Sequence, residues 1–542
     1  MSRLAISGGV RHRAKRLVGA LAALFTIATL LAGCGTGGDA TRQLSVAVQV
    51  GSIPGNLNGT LAVGSRAVTD QIDALLLPRA FYMDGSGNYQ LDTRYVTSAE
   101  VVSVDPQVVV YKINTKALWS DGHALSADDF VYTYEMQRRG AEGKLPSYWE
   151  LLDHAGLYDS VSAVQANQAG NEVTVRFSRP DANWRSLFNP ILPSRYLQAN
   201  GFVASMSLGQ TGFPTIDPYR ISSYDSSAVV LTAKPDSGAP FSSVTFATAP
   251  ATAGAVVTLE STSSVTDLGG TTLFIPGTRL YSLAFNLQTT SVWFRRALAA
   301  SIDRPTLYQH LYQGTKAAYL GYAAPGSNLY LPSQSGYTDS QGGDGRPSYA
   351  RATQLFIMGG FTYSPGGYLD SLGGTYTATL AYDGADATAG RIAALVGKMA
   401  GYMGVHVVLM REPDLAALDS AIAHGTFTMA ITGRDMTLGP SAIAAGFLNP
   451  SEPATYISPW LTVDAGSIVS QANTEIYPVE SAKLLGTVDS LIWQEMAGFP
   501  LLAPPVGVKI SGVSPNPTEL AALLQLASSG GFETLQPIAY PG

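Results

Sequence analysis

The sequence predicts an α/β protein built from two or three packed lobes. The chain has 542 residues, whereas a single hydrophobic core rarely serves more than about 250–300 residues. Strand-like and helix-like segments alternate between residues 375 and 432, which is typical of parallel strands joined by helical crossovers. Hydrophobic residues make up 46% of the chain and charged residues 13%, a composition that favours large cores over extended disorder.

The amino terminus is predicted to be an export signal over residues 1–33. Basic residues between Arg11 and Arg16 precede an apolar run over 17–31. This run is shorter than the ~20 residues that span a bilayer as a helix, and a charged start followed by a short apolar stretch is typical of a signal peptide.

Cys34 directly follows this segment and is the chain's one cysteine, which excludes an internal disulfide and a cysteine-based metal site. The sequence Leu31-Ala32-Gly33-Cys34 matches the bacterial lipobox. We therefore expect Cys34 to be lipidated and residues 34–43 to form a tether, so that the protein is held on the outer face of the cytoplasmic membrane. A plain signal peptide that contains a cysteine is the alternative.

The first half of the mature chain is predicted to be rich in strands. Alternating apolar residues, Gly- and Asn-rich turns and helix caps predict a strand at 44–50, a loop at 51–64, a short helix within 70–81 that ends near Pro78, and strands at 101–103 and 108–113. A helix starting at 128 and capped by Ser126 follows, and then strand pairs at 161–165 with 172–177 and at 219–223 with 228–233. Ser, Thr, Ala, Gly and Pro dominate residues 234–270, where the pattern predicts no clear element.

The second half alternates between strands and helices. The predicted elements are a strand at 280–287, two helices within 292–314 broken at Asp303, a loop at 325–347, a helix at 349–359, strands at 375–383, 405–410 and 427–432, helices at 387–401 and 415–424, and a long helix at 478–496. The three strands separated by two helices predict one α/β lobe.

Four segments carry a resemblance to a known family. The first runs from Trp119-Ser120-Asp121-Gly122 to Asp128-Asp129-Phe130, and the second joins Leu283-Ala284-Phe285-Asn286 to the stretch ending at Ser301-Ile302-Asp303-Arg304. The others are 425–433 and 475–502. In this order they resemble the family 5 extracellular solute-binding proteins, the dipeptide-, oligopeptide- and nickel-binding components of ABC importers.

The resemblance implies a two-lobed periplasmic-binding-protein type II fold with an extra inserted subdomain. Its implied division of the chain is a lipoprotein signal peptide at 1–33, a tether at 34–43, lobe I at 44–74, 181–274 and 496–542, the inserted subdomain at 75–180, and lobe II at 275–495. Ligand would be enclosed between the lobes by closure about the segments that join them.

The resemblance also implies ligand-binding residues. The family uses a carboxylate to bind a peptide's amino group, and Asp435 is the candidate here; the alternatives are a solvated loop residue or a partner of Arg434. Arg434 stands where the family has tryptophan, and could recognise a carboxylate or a phosphate-like group. Tyr148 and Trp149 could stack on ligand or form local core. Asn286 could line the cleft or tie backbone at a strand end.

The resemblance implies a binding protein with no cofactor, which delivers a peptide or other small solute to ABC permease subunits and is usually a monomer. A net charge of −7 argues against nucleic acid. The six histidines are scattered, and the sequence carries no H-E-x-x-H, G-x-S-x-G or Walker A motif, so an enzyme is not expected. A lipoprotein of the same fold that serves envelope assembly or signalling without transport is the second hypothesis.

Overall fold

Two large sheets organise the structure, a computed structural model. It describes residues 44–528 apart from 62–65, 85, 217, 236, 250–254, 262–270, 321, 341–343, 368, 372–373, 449–456, 460, 462 and 512–514. The predicted signal peptide, Cys34 and the tether therefore lie outside the described residues.

The strands in chain order are β1 (Leu44–Gln49), β2 (Phe81–Met83), β3 (Tyr89–Leu91), β4 (Val96–Val104), β5 (Gln107–Ile113), β6 (Val161–Ala166), β7 (Glu172–Phe177), β8 (Tyr219–Tyr224), β9 (Ala228–Ala233), β10 (Phe241–Ala247), β11 (Ala255–Ser261), β12 (Thr271–Ile275), β13 (Arg279–Phe285), β14 (Thr362–Tyr363), β15 (Leu369–Ser371), β16 (Gly374–Thr375), β17 (Thr377–Asp383), β18 (His406–Glu412), β19 (Met429–Asp435), β20 (Gly498–Leu502) and β21 (Val506–Ser511).

The α-helices are α1 (Arg66–Leu76), α2 (Ala127–Gln137), α3 (Ser194–Asn200), α4 (Val292–Ser301), α5 (Arg304–Tyr312), α6 (Tyr349–Met358), α7 (Ala387–Tyr402), α8 (Leu415–Ala423), α9 (Pro440–Ala445), α10 (Val463–Thr474), α11 (Pro478–Glu495) and α12 (Pro517–Ser528). Single turns of 3₁₀ helix lie at Ala141–Gly143, Trp149–Leu151, Trp184–Ser186, Lys316–Tyr319 and Met436–Leu438.

The first large sheet has seven strands in the order β12-β21-β11-β1-β10-β9-β8, and its strands β1, β10 and β11 are parallel. The second has five strands in the order β18-β17-β19-β13-β20. A separate four-stranded sheet, β4-β5-β7-β6, lies within the interval 75–180 where the inserted subdomain is expected. The described residues thus form two main sheets and three smaller ones, the other two being β14-β15-β16 and β2-β3.

The predicted alternation over 375–432 is confirmed. Strand β17 is parallel to both β18 and β19, and helices α7 and α8 make the connections. The centre of the sheet is buried on both faces: Leu283, Phe285 and Ile431 pack in one core cluster, while Ala284 and Ala430 pack in the other. This double burial explains why every residue of β19 except Asp435 is buried.

Two segments differ from the sequence prediction. Residues 241–247 and 255–261 form β10 and β11, which flank β1 in the first sheet, although the sequence pattern predicts no element there. In β10 the buried residues Phe241, Val244 and Phe246 are separated by Ser and Thr, which hid the pattern. The helix predicted within 70–81 was expected to end near Pro78, and it ends at Leu76, because proline cannot continue a helix; Phe81 begins a strand.

Helix α2 is held in place by one buried carboxylate. Ser126 is the N-cap of this helix, as the sequence predicts, and its backbone N–H donates a hydrogen bond to the Asp129 carboxylate at 3.0 Å. One oxygen of Asp129 also accepts a hydrogen bond from Trp119 Nε1 (3.2 Å), and the other accepts bonds from the backbone N–H (2.9 Å) and hydroxyl (2.7 Å) of Ser194. Asp129 therefore joins the tryptophan motif, α2 and the start of α3, which is a structural role.

The chain passes between the two large sheets at two places in the described residues. Residues 276–278 connect β12 to β13, and residues 503–505 connect β20 back to β21. We call these the crossing segments. They touch closely: a Cβ at Gly277 would lie 1.9 Å from the carbonyl oxygen of Pro504. The family resemblance implies that lobe I resumes at residue 496. In the structure β20 pairs with β13 and so belongs to the second sheet, and the chain returns to the first sheet only after Leu502.

Candidate functional site

Charged residues gather where the second sheet meets the crossing segments. The parallel strands β17, β18 and β19 end at Asp383, Glu412 and Asp435. Arg279 begins β13 at the same edge, where it is the register partner of Asp435. We call this the crossing edge. In the first sheet, the carboxyl ends of the parallel strands β1, β10 and β11 lie at the same edge as the end of β12, which leads into the first crossing segment. Ligands of open α/β sheets bind outside the carboxyl ends of strands, so this region is the candidate site.

Asp435 is an exposed carboxylate at this edge. Its side chain accepts hydrogen bonds from the backbone N–H (3.0 Å) and hydroxyl (2.8 Å) of Thr437, so it caps the following turn. The next residue, Met436, donates its N–H to Thr278 O at 2.9 Å. This bond fastens the end of β19 to a crossing segment, so Asp435 lies at the junction between the two sheets.

Arg279 is organised by a second carboxylate. Its guanidinium lies 3.1 Å from Asp386, which also accepts a hydrogen bond from the Tyr281 hydroxyl at 2.7 Å. Asp386 is the N-cap of α7 and accepts bonds from the backbone N–H groups of Thr388 and Ala389. Burial raises the pKa of Tyr281, and the hydrogen bond to Asp386 acts in the same direction. This group fixes the position of Arg279 while leaving its side chain 45% exposed.

Arg434 lies buried beneath helix α8 and forms an ion pair with Asp419. Burial lowers the pKa of Arg434 and raises that of Asp419, and the attraction between the two charges opposes both shifts. The guanidinium side chain is only 4% exposed. A buried charge is stable only when it is paired. In this structure Asp419 supplies the negative charge that pairs with Arg434.

A small cavity lies beside Arg434 on the same face of the sheet. Its volume is about 10 Å³, far less than the about 300–1,000 Å³ of typical ligand pockets. The strands contribute Leu280, Ser282, Thr432 and Arg434, and Phe447 is part of the cover. This cavity is too small to enclose a peptide by itself.

Asn328, which also lines the cavity, belongs to a loop held down by α11. The carboxylate of Asp489 accepts a hydrogen bond from the Asn328 backbone N–H at 2.9 Å. Further along, Ser335 donates its backbone N–H to Ser86 O (2.8 Å) and its hydroxyl to Asn88 Oδ1 (2.6 Å). Burial raises the pKa of Asp489, which the hydrogen bonds oppose. The loop therefore connects α11 to the turn between β2 and β3.

The other three predicted site residues make local contacts. Asn286 is fully buried at the opposite end of β13 from Arg279, and its amide donates to Gly425 O (3.0 Å) and Phe427 O (2.9 Å). The sequence left two roles open for Asn286, and these bonds correspond to the one in which it ties backbone at the strand end. A direct contact of Asn286 with ligand stays a prediction.

The aromatic pair lies in the stretch between α2 and β6, where Trp149 begins a 3₁₀ turn. The ring of Tyr148 lies 4.7 Å from that of Phe202. Trp149 is 7% exposed and carries the guanidinium of Arg139 at 4.8 Å from its ring centre. Contact of either residue with ligand also stays a prediction.

Sequence reasoning missed the charged set Arg279, Asp383, Asp386 and Glu412. A usable signal existed, since Asp383 ends one predicted parallel strand and Glu412 follows the end of the next by two residues, and such ends meet at one edge. Among the described residues, no group of three or more His, Cys, Asp or Glu is placed to hold a metal ion. Within the same part of the chain, no helix combines the length and apolar character needed to cross a membrane.

Comparison with known proteins gives a consistent result. The profile described as "Bacterial extracellular solute-binding proteins, family 5 Middle" matches residues 91–450. The chain is 26% identical over 344 residues to the oligopeptide-binding protein OppA of Mycobacterium tuberculosis, covering 57% of this chain and 56% of that protein. It is 30% identical over 167 residues to LpqW of the same organism, named a probable monoacyl phosphatidylinositol tetramannoside-binding protein, covering 28% and 25%. The chain therefore matches about a quarter to about half of these relatives' lengths.

Solved structures resemble nearly the whole fold. The periplasmic EDTA-binding protein EppA superposes with a TM-score of 0.70 at 23% identity, covering 88% of this chain and 95% of that one. NikA from Brucella suis in complex with Fe(III)-EDTA gives 0.67 at 16%, covering 91% and 99%. AppA from Bacillus subtilis, in complex with a nonapeptide, gives 0.60 at 15%, covering 90% and 98%. At these identities the likeness establishes the fold.

Proposed function

The chain belongs to the bacterial extracellular solute-binding proteins of family 5 and has their two-lobed type II fold, and we propose that it captures a peptide or similar small solute between its lobes for an ABC permease. One observation carries the proposal. The carboxyl ends of the parallel strands of both sheets point toward the two crossing segments. A solute bound there would contact both lobes, and closure about the crossing segments would enclose it.

The charges of the crossing edge favour a ligand that carries a cation. Carboxylates outnumber guanidinium groups there, with Asp383, Asp386, Glu412 and Asp435 against Arg279 and Arg411. Asp435 is exposed, and the hydrogen bonds that it accepts come from its own turn. We propose that Asp435 binds the amino group of a peptide, since a charge-assisted hydrogen bond to an ammonium is strong and directional.

We further propose that Cys34 is lipidated and anchors the protein to the outer face of the cytoplasmic membrane. The sequence Leu31-Ala32-Gly33-Cys34 supports this proposal. The test is metabolic labelling with a fatty acid, followed by membrane fractionation of the wild type and Cys34→Ser. Label and membrane association should both be lost in the variant. A variant that keeps its label contradicts the assignment.

Native mass spectrometry of gently purified protein tests solute capture. We expect an adduct of peptide mass that dissociates without covalent change. Thermal stability should rise with ligand concentration by mass action, by about 2.7 kcal/mol at a hundredfold excess over Kd. A protein that retains no solute, and that no pool of short peptides stabilises, contradicts the proposal. Release of a cleaved or modified product would indicate an enzyme instead.

The contact of Asp435 is tested with matched probes, namely a set of tripeptides with free amino ends and the same set N-acetylated. The wild type should be stabilised by the free set more than by the acetylated set. Asp435→Asn should lose about 10–100-fold in affinity for the free set, because a hydrogen bond to a charged group contributes about 1.5–3 kcal/mol. Equal binding of both sets to both proteins removes Asp435 from the site but leaves capture of another solute open.

The similarity to LpqW favours a second candidate function, binding of a mannosylated phosphatidylinositol in the cell envelope without transport. It is supported by the 30% identity over 167 residues. The same mass spectrum separates the two candidates, because a lyso-glycolipid adduct has a different mass and fragmentation from a peptide. A glycolipid adduct together with no response to peptides would favour this second function.

A further inference from the structure

Residues 325–340, which we call the bridging loop, lie between helices α5 and α6 and are anchored to the second lobe. Arg304 at the start of α5 donates a hydrogen bond to Pro325 O at 3.0 Å. On α11, the Asp489 carboxylate accepts the backbone N–H of Asn328 at 2.9 Å. Because both anchors lie between the two crossing segments in sequence, the bridging loop should move with the five-stranded sheet.

The far end of the bridging loop contacts the turn between β2 and β3, which precedes the first crossing segment. Ser335 donates its backbone N–H to Ser86 O at 2.8 Å and its hydroxyl to Asn88 Oδ1 at 2.6 Å. The Gln334 side chain lies over Gly87, where an added Cβ would be 3.0 Å from Gln334 Nε2. Ser335 and Asn88 are 247 residues apart in sequence, so the contact links the two sides of the crossing segments.

The β2–β3 turn keeps its shape through bonds of its own. The Asp84 carboxylate accepts the backbone N–H groups of Ser86 at 2.9 Å and of Asn88 at 3.0 Å. Gly87 has a φ of 73°, a conformation that glycine adopts without strain. Both contacting surfaces are therefore organised within their own part of the molecule, and the hydrogen bonds between them can break without unfolding either one.

We propose that the bridging loop is a latch, which holds the β2–β3 turn while the two lobes are closed and releases it when they open. The proposal rests on the solute capture proposed above, since a latch of this kind stabilises closure about the crossing segments. One hydrogen bond changes an equilibrium by about 2–12-fold, so the two bonds of Ser335 together change it by about 5–150-fold. This strength favours closure and still permits opening. A solute that binds the closed form gains apparent affinity as the closed fraction rises.

Ser335→Pro removes both hydrogen bonds of the latch. Ser335 is the second residue of a turn in which Tyr337 donates its N–H to Gln334 O at 3.0 Å, and proline is favoured at that position, so the loop should keep its fold. The variant should release bound tripeptides with free amino ends about 5–150-fold faster than the wild type. Its solute-free form should have a larger radius of gyration in small-angle X-ray scattering. The matched control is Thr338→Ala, an exposed position in the same loop, which should leave both quantities unchanged.

A double-mutant cycle tests the hydroxyl bond with milder substitutions. Ser335→Ala and Asn88→Ala each remove this bond, so each should speed tripeptide release about 2–12-fold. The double variant should be no faster than either single variant, because the same bond is lost only once. Fully additive effects, or a Ser335→Pro protein that matches the wild type in both release and scattering, overturn the latch. If no protein responds to tripeptides, peptide capture fails, and the scattering of solute-free Ser335→Pro against the wild type alone decides the latch.

Discussion

Replacing Gly277 with alanine should disturb the joint between the two lobes, because the added methyl group would meet backbone. Gly277 is buried in the first crossing segment. A Cβ at this position would lie 1.9 Å from Pro504 O and 3.1 Å from Pro504 C, in the second crossing segment. Because real Cβ contacts below 3.0 Å are essentially never seen, the two backbone segments must separate by about 1 Å.

We expect Gly277→Ala to lower the free energy of unfolding by about 1–3 kcal/mol, the usual cost of an added methyl in a packed site. The cost should lie toward the upper end, because the obstacle is backbone and not a flexible side chain. Urea denaturation followed by tryptophan fluorescence measures the loss. Small-angle X-ray scattering should also show a changed angle between the lobes, since both changes arise from the same separation.

The matched control is Gly486→Ala within helix α11. A Cβ there meets nothing within 4 Å, and alanine is favoured over glycine in a helix by about 0.5–1 kcal/mol. The two substitutions should therefore change stability in opposite directions. If Gly277→Ala unfolds at the same urea concentration as the wild type and scatters identically, the crossing segments do not touch as described and the reasoning is refuted.

Three further substitutions have defined expectations. Asp129→Ala should cost about 3–5 kcal/mol by leaving buried donors unpaired, whereas the exposed Asp128→Ala should cost less than about 1 kcal/mol; urea denaturation compares them. Arg434→Met should cost about 3–5 kcal/mol because it leaves the charge of Asp419 uncompensated, and Arg434→Met with Asp419→Leu should recover most of that loss. Burial raises the pKa of native Asp489 above 3.8, the ordinary aspartate value. The wild type should therefore lose stability relative to Asp489→Asn as the pH rises from below 3.8 through that raised pKa.

Each of these expectations has an outcome that contradicts it. Equal losses for the two aspartates of α2 would mean that Asp129 is not the hub of its hydrogen bonds. If the double variant Arg434→Met with Asp419→Leu is as unstable as Arg434→Met alone, the lost stability does not come from the unpaired charge of Asp419. For Asp489, the sign follows from burial: a raised native pKa gives stability that is present below the unfolded pKa and lost as the group ionises. A constant difference from the asparagine variant across pH would contradict that shift.

Sequence patterns predicted the elements whose signals are local. The alternation of β17, α7, β18, α8 and β19 follows from periodicity within each segment, and the cap of α2 follows from Ser126 and Asp129 three residues apart. Strands β10 and β11 were missed because serine and threonine dilute their apolar pattern. Only pairing with β1, about 200 residues away in sequence, shows that they are central strands.

The candidate site was less accessible to sequence reasoning because its members meet through the fold. The position of Arg434 was identified as important, but its partner Asp419 lies on a helix that covers the sheet, and no local pattern shows that contact. Arg279 and Asp386 are likewise brought together by the start of β13 and the cap of α7. In contrast, the exposed position of Asp435 at the end of β19 could be anticipated from the strand prediction.

The crossing segments also bear on how such proteins diversify. The chain enters the second sheet on β13 and leaves it on β20, and these strands are neighbours in which Tyr281 pairs with Leu502. The entire second lobe is thus a module whose entry and exit stand side by side. A relative's module could be grafted at these two junctions while every strand of the seven-stranded host keeps its neighbours, so recombination could exchange half of a binding cleft in one event.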